Sequence, residues 1–538
     1  MKQQHNDEAR PRPTHVHFNE DARARLLRGM KIASDTVGCT LGPCGMTVLI
    51  AQGDGPAIAT KDGVTVSRAI RLKDPVERMG ADLIREAASR TNDVAGDGTT
   101  TATVLTYAMT SESNRLMTAG FAPVELKHGI EHAADVVIAA LRIGARAVGG
   151  KSEIAQVGTV SANGDVHVGS LIAEAMEKVG RDGVITVEDA KGTTTSLDVV
   201  KGMRFDRGYL SPYFVTNNER MNAVHDDGYV LLTDGKLSDM QELLPLLEAV
   251  LKEQRSLLVV ADEVEGQALQ ALIVNRLQAQ LRVVAIKAPG YGSSRDAFLQ
   301  DIAVLTGGRV LGAASGVTVA KARLADLGRC KRFVVDARTT TIVGTGTTAE
   351  AVSTRVEELR VQLADPTLSA QETDRLHSRI ARLASGVAVI RVGGATELEM
   401  IERKHRIEDA LNATRAAVEE GIVPGGGTAL AVASWAAALQ LADMQLTKGE
   451  RAGVDIVLRA CEAPLRRIVE NAGASADVVL ARLRVEPGVG FNAATAVYQD
   501  LIEAGILDPV KVCRTALENA ASVAATFTTL SAVVVTEE

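Results

Sequence analysis

Alanine-rich sequence with helical spacing occupies both ends of the chain, and from about Gly202 to Gly386 it gives way to alternating strand-like and helix-like runs. Such a chain folds most simply with its two ends joined in one body and its middle inserted as another. The 538 residues exceed what one core can serve, so two or three domains are expected. Aromatics make up only 3% of a chain that is 46% apolar. The cores must therefore be packed from Ala, Val, Leu and Ile, which suits helices and parallel or mixed sheet.

Taken in order, Asn19 is placed to cap a helix running to about Val37, with Ala22, Leu26, Met30, Ala33 and Val37 at helical spacing. Thr40-Leu41-Gly42-Pro43 stops it. Thr60-Lys61-Asp62-Gly63 reads as a tight turn ahead of a short strand pattern in Val64, Val66 and Ala69. Arg78 to Leu116 is helical around a glycine–threonine loop, and Asp182-Gly183 leads into a strand over 184–187. The middle holds Phe205, Tyr209, Tyr213, Phe214 and Tyr229, with strand-like runs over 257–261, 283–286 and 333–335. Two helices there carry apolar stripes, Leu243, Leu244, Leu247, Val250 and Leu251 on one and Leu269, Leu272, Ile273, Val274 and Leu277 on the other. Such stripes are more often core than contact surface, and any exposed part beside Tyr209, Tyr213 and Phe214 would form an apolar binding patch. A helical hairpin follows about Asp365-Pro366-Thr367, then a strand over 386–392 and a charged helix from Glu397 to Glu420, ending at Gly421. Helices fill most of the remainder, broken over 488–494 and at Leu507-Asp508-Pro509. Gly202 and Gly386 flank the insertion as candidate hinges.

The chemistry is concentrated in Gly96-Asp97-Gly98-Thr99-Thr100-Thr101. Glycines let the backbone turn its N–H groups toward an anion, and the helix that follows adds a positive N-terminus. Asp97 sits where a carboxylate could hold Mg²⁺ against phosphates, the alternative being a polar turn with an N-capping Asp or Thr, and Asp62 is either a turn residue or a second candidate carboxylate. Gly425-Gly426-Gly427 offers further amides. No GxxxxGK[ST] segment occurs, so the chain is not a P-loop machine. A net charge of −8 gives no general attraction to nucleic acid or anionic membrane. Five cysteines without a CxxC pair favour reduced thiols, and no apolar run reaches spanning length; the polar start over 1–13 lacks a signal peptide's apolar core. A cytoplasmic location is expected.

The chain resembles the group I chaperonins of the GroEL family. The resemblance rests on Thr40-Leu41-Gly42-Pro43, Thr60-Lys61-Asp62-Gly63-Val64, the stretch from Ala95 to Thr103, Phe205-Asp206-Arg207-Gly208-Tyr209-Leu210-Ser211-Pro212-Tyr213-Phe214, Glu408 to Gly421, Gly425 to Gly427 and Gly505 to Pro509, in family order over nearly the whole chain. It implies a multidomain α and α/β architecture with the chaperonin fold: a helical equatorial ATPase domain from 1–143 and 420–538, a small intermediate domain from 144–200 and 388–419, and an α/β apical domain over 201–387. It implies an ATP hydrolase that captures unfolded polypeptides and folds them in homo-oligomeric rings of seven closed by a GroES-like lid co-chaperonin. ATP and Mg²⁺, with K⁺ as a further candidate, would be bound by Thr40, Leu41, Gly42, Pro43, Lys61, Asp97, Gly98, Thr99, Thr100, Thr101, Gly426, Asn492, Ala493, Ala494 and Asp508, with Asp97 on the metal. By the same resemblance Asp62 helps arrange hydrolysis and Asp409 activates the attacking water. Tyr209, Tyr213, Phe214, Leu244, Leu247, Leu269, Ile273 and Val274 would form the client surface, with Asn275 beside them.

The chain departs from the family at several points. Cys44 and Met46 replace basic residues, Ser293, Ser294 and Asp296 stand in a normally more charged run, Ser385 precedes Gly386, and the segment from Asn471 to Ser475 lacks acidic residues often found near the ring-to-ring contact. The residues to Glu538 do not include the family's Gly-Gly-Met tail. These changes mark a divergent member and leave a second expectation open, a low-order oligomeric holdase or scaffold.

Overall fold

The structure, a computed structural model, describes residues 14–52, 55–180, 183–190, 192–218, 221–278, 281–312, 315–363 and 369–536. The polar start, Asp182, the Asp365-Pro366-Thr367 turn and Glu538 lie outside the described residues. The chain divides into two compact units, one from Met1–Glu174 with Gly394–Glu538 and the other Ala175–Gly393.

The first unit is helical. Helices Asn19–Gly38, Pro75–Ala95, Thr99–Thr118, Pro123–Ile143 and Val510–Thr528 pack around Leu105, Met109, Leu126, Ile130, Val137 and Leu517 and, on the other side, Leu26, Met30, Ile84 and Phe527, all essentially fully buried. Small residues set the helix spacing. At the crossing of Asn19–Gly38 with Pro75–Ala95, a Cβ on Gly29 would lie 1.8 Å from the Glu77 carbonyl oxygen and one on Gly80 2.0 Å from that of Leu26. Any side chain there would force the helices apart. Strand Thr14–Phe18 pairs antiparallel with Ala532–Thr536, which closes both chain ends into this unit.

Two expectations fail here. Val64, Val66 and Ala69 are helical, in Gly63–Ala69, because the Asp62 carboxylate accepts hydrogen bonds from the amides of Val64 (3.1 Å) and Thr65 (2.9 Å) and so caps a first turn that the alternation disguised as a strand. Nor does Asn19 cap its helix by its side chain: it has φ +48°, no side-chain cap is made there, and its amide donates to the Ser531 carbonyl at 2.7 Å. The charged helix does run Glu397–Glu420 with Gly421 after it.

The second unit is α/β. Its seven-stranded sheet runs in the order Val283–Lys287, Ser256–Ala261, Ala223–Thr233, Gly328–Val335, Thr340–Gly344, Gly202–Phe205, with Val310–Leu311 on the edge of Ala223–Thr233. The first three strands are parallel and the next joins antiparallel. Ser256–Ala261 is buried along its whole length, as expected of a strand covered on both faces. A separate sheet sets Val387–Val392 between Val184–Asp189 and Ser196–Val200. Helices Ser293–Thr306, Ala349–Leu363 and Ala370–Ser385 are tied by one ionic knot: Asp301, 1% exposed, accepts from Arg379 at 2.6 and 2.7 Å and from Arg355 at 3.1 Å.

Candidate functional site

In the first unit a cavity of about 470 Å³ collects chain segments that are far apart in sequence. After helix Asn19–Gly38, the turn Thr40 to Pro43 is held by the Thr40 hydroxyl donating to the Val37 carbonyl (2.8 Å) and by Asn471, whose amide donates to the carbonyls of Gly38 (3.0 Å) and Leu41 (2.9 Å). Gly96 and Gly98 both take the left-handed conformation, with φ +72° and +84°, which a residue with a side chain resists. Between them Asp97 accepts from its neighbour's amide at 2.5 Å and from the Ser161 hydroxyl at 2.8 Å. Helix Thr99–Thr118 then starts without a capping side chain, so its positive N-terminus is left for a ligand.

From the other half of the unit, strands Ile422–Pro424 and Leu507–Pro509 pair with Val423 opposite Asp508. This register brings the amides of Gly426 and Gly427 onto the Asp508 carboxylate. Asn492 ends the strand Gly490–Asn492, and its side chain accepts from the Ala494 amide at 3.0 Å. Helix Glu397–Glu420 contributes Asp409 to the wall.

All fifteen nucleotide-site candidates, together with Asp62 and Asp409, line this one cavity. The sequence reading missed Ser161, Glu402, His405 and Arg406, which also line it, and Asn471, which braces the Thr40 to Pro43 turn. A signal for three of them was present: counting back from Asp409 by 3, 4 and 7 residues reaches Arg406, His405 and Glu402, one face of a helix. Nothing local marked Ser161 or Asn471.

The electrostatics are those of a site short of cation. Burial pushes the Asp97 carboxyl up, against the opposing hydrogen bonds of Ser161 and Gly98, and the nearby Asp62 charge pushes it the same way. Burial first and the Asp97 charge second raise Asp508 from its ordinary 3.8 to about 7. Because this folded-state value lies above the unfolded one, the stability linked to this proton is fully present below pH 3.8 and lost as pH rises through about 7. The ligand-free protein is thus expected to melt higher at pH 6 than at pH 8, and Asp508→Asn to flatten that dependence; calorimetric melts at the two pH values check it, and an equal slope in parent and variant would refute the assignment.

The residues fit a Mg²⁺-polyphosphate. The crowded carboxylates call for a cation, and the buried Nε of Arg406, on the cavity wall, has no hydrogen-bond partner and suits an anion. Among the described residues no three His, Cys, Asp or Glu side chains form a ready metal cage. Mg²⁺ commonly takes one or two carboxylates and completes its shell with phosphate and water.

In the second unit the client-surface candidates separate. Tyr213, Leu244 and Val274 are 62, 44 and 46% exposed, and Leu251 and Leu277 join them on the surface. Tyr209, Leu269 and Ile273 are half-buried against the core. Phe214 and Leu247 are core residues, at 0 and 5% exposure, a correction to the surface reading. The cause is local in both cases. In the turn Pro212–Phe214, capped by Ser211, Phe214 goes inward and Tyr213 outward. In helix Met240–Lys252, Leu247 shares the inward stripe with Leu243 and Val250, while Leu244 and Leu251, seven apart, share the outward one. The Asn275 amide donates to the Ala271 carbonyl of its own helix at 2.8 Å.

A helical unit made from both chain ends, carrying a carboxylate- and glycine-lined cavity, with a separate α/β unit from the middle, is the fold of a chaperonin. The structure is similar to the chaperonin gp146 of bacteriophage EL (Pseudomonas aeruginosa), crystallised in the presence of ATP-BeFx: one crystal form aligns with a TM-score of 0.65 at 23% identity over 97% of this chain and 99% of that one. A second crystal form gives 0.61 at 22% identity over the same shares. Residues 33–538 match the model of the TCP-1/cpn60 chaperonin family, and the chain belongs to that family, as a divergent chaperonin of the GroEL type.

Proposed function

We propose that this chain is an ATP-hydrolysing chaperone that binds non-native polypeptides through the exposed apolar face of its α/β unit. The observation that carries the reading is the convergence of Asp62, Asp97, Asp409 and Asp508 with the glycine amides on one cavity. The similar phage chaperonin, crystallised with ATP-BeFx, supports a nucleotide there.

Asp97 would hold Mg²⁺, which when bound neutralises phosphate charge. The turn amides at Gly42, Gly98 and Gly426, with Lys61, would orient the phosphates. Asp409 would take the proton of the attacking water, and Asp62, already fixed by its cap hydrogen bonds, would keep the facing wall rigid. Phosphoryl transfer needs little more than such positioning and charge stabilisation.

The equatorial, intermediate and apical divisions given above, rings of seven, a lid co-chaperonin and a cytoplasmic setting belong to the same proposal. All five cysteines are free, as suits a reducing compartment, and no helix among the described residues is long and apolar enough to cross a membrane. One exposed side chain such as Tyr213 contributes roughly 1.5–3 kcal/mol when buried by a client, so a ring of such faces would hold by avidity what one face holds weakly.

The reading is tested by phosphate release with Mg-ATP, sedimentation velocity for a ring-sized species, and capture of a chemically unfolded protein. Tyr213→Glu is expected to weaken capture about tenfold or more while sparing turnover. Capture equal to the parent's would place the client surface elsewhere.

A further inference from the structure

His405 lines the cavity one helical turn before Asp409, on the same helix and the same face. Residues so spaced have Cβ atoms about 6 Å apart, within side-chain reach of each other. On that face Glu402 and Arg406 are ion-paired to each other. The charged groups across the cavity are Lys61, Asp62, Asp97 and Asp508. Asp62 is engaged by two amides and the Thr65 hydroxyl, Asp97 by Ser161 and Gly98, and Asp508 by Gly426 and Gly427. Lysine and arginine have no acceptor lone pair. The His405 ring makes no hydrogen bond with the described residues, and imidazole is the side chain suited to pass a proton near neutral pH.

We propose that His405 carries the proton of the attacking water from Asp409 to solvent, a role that rests on the ATPase reading above. As the water oxygen bonds to the γ-phosphorus, the bond from that phosphorus to the bridging oxygen breaks and its electron pair leaves with ADP. One water O–H bond breaks and its proton passes to the Asp409 carboxylate. A ring nitrogen of His405 accepts it there and releases it to bulk water, which returns Asp409 to its basic form for the next turnover. His405 acts through Asp409 and is thus a positioning and relay residue, not a ligand of the nucleotide.

The test is steady-state turnover of the full chain over a range of Mg-ATP concentrations up to saturation, from about pH 5.5 to 8.5, for the parent, His405→Ala and His405→Gln, with and without added imidazole. Both variants are expected to lose about tenfold in kcat with little change in KM for ATP, and to show an altered pH profile. Imidazole should restore His405→Ala, which leaves room for it, and not His405→Gln. A kcat and pH profile equal to the parent's in either variant, or a loss in His405→Ala that imidazole does not restore, overturns the relay. Parent turnover with an unmoved variant sinks only the relay, whereas a parent without turnover removes the ATPase reading and the relay together.

Discussion

Asp409→Ala is expected to lower ATP turnover by a hundredfold or more, about what removal of a general base costs, while ATP binding stays within a few-fold of the parent's. The separation follows from where the residue sits. The glycine turns, Asp97 and Asp508 come from other segments of the cavity and keep their own hydrogen bonds when Asp409 is truncated. Asp409→Asn should behave alike, since it keeps shape and loses basicity. Single-turnover phosphate release and calorimetric nucleotide titration measure the two quantities. Turnover unchanged in both variants would remove Asp409 from the reaction.

Asp301→Ala is expected to destabilise the α/β unit by about 3–5 kcal/mol, the usual result of removing one partner from a buried ion pair. Asp301 is 1% exposed, and Arg379 and Arg355 converge on it from two other helices. Its loss leaves two guanidinium groups facing each other without their shared anion. Urea unfolding followed through this unit measures the effect. A change below about 1 kcal/mol would show that water or a rearranged partner replaces the carboxylate. Any nucleotide binding by the helical unit should be retained, since Asp301, Arg355 and Arg379 do not line its cavity.

The two-unit organisation was legible because composition changes with it: alanine-rich helical spacing at both ends and strand-like runs between them. That the candidate residues share one cavity was legible for a related reason. Tight turns and anion sites are built from glycine, threonine and aspartate in short contiguous stretches, so their chemistry survives in the linear order. Where the sequence reading failed, a side chain's direction or a single hydrogen bond decided the outcome. Asp62 turned an apparent strand into a helix, and the pitch of helix Met240–Lys252 sent Leu247 inward and Leu244 outward although both belong to one apolar run.

By itself, then, the sequence determined the helical periodicity, the left-handed glycine turns and the carboxylates on offer, because each is a property of a few neighbouring residues. Only the tertiary structure decided which of those carboxylates face one another, that Ser161 and Asn471 brace turns 64 and more than 400 residues away in sequence, and that His405 shares Asp409's wall. The physical reason is that charge repulsion, burial and hydrogen bonding depend on distance in space, and strand pairing and helix packing set that distance independently of separation along the chain.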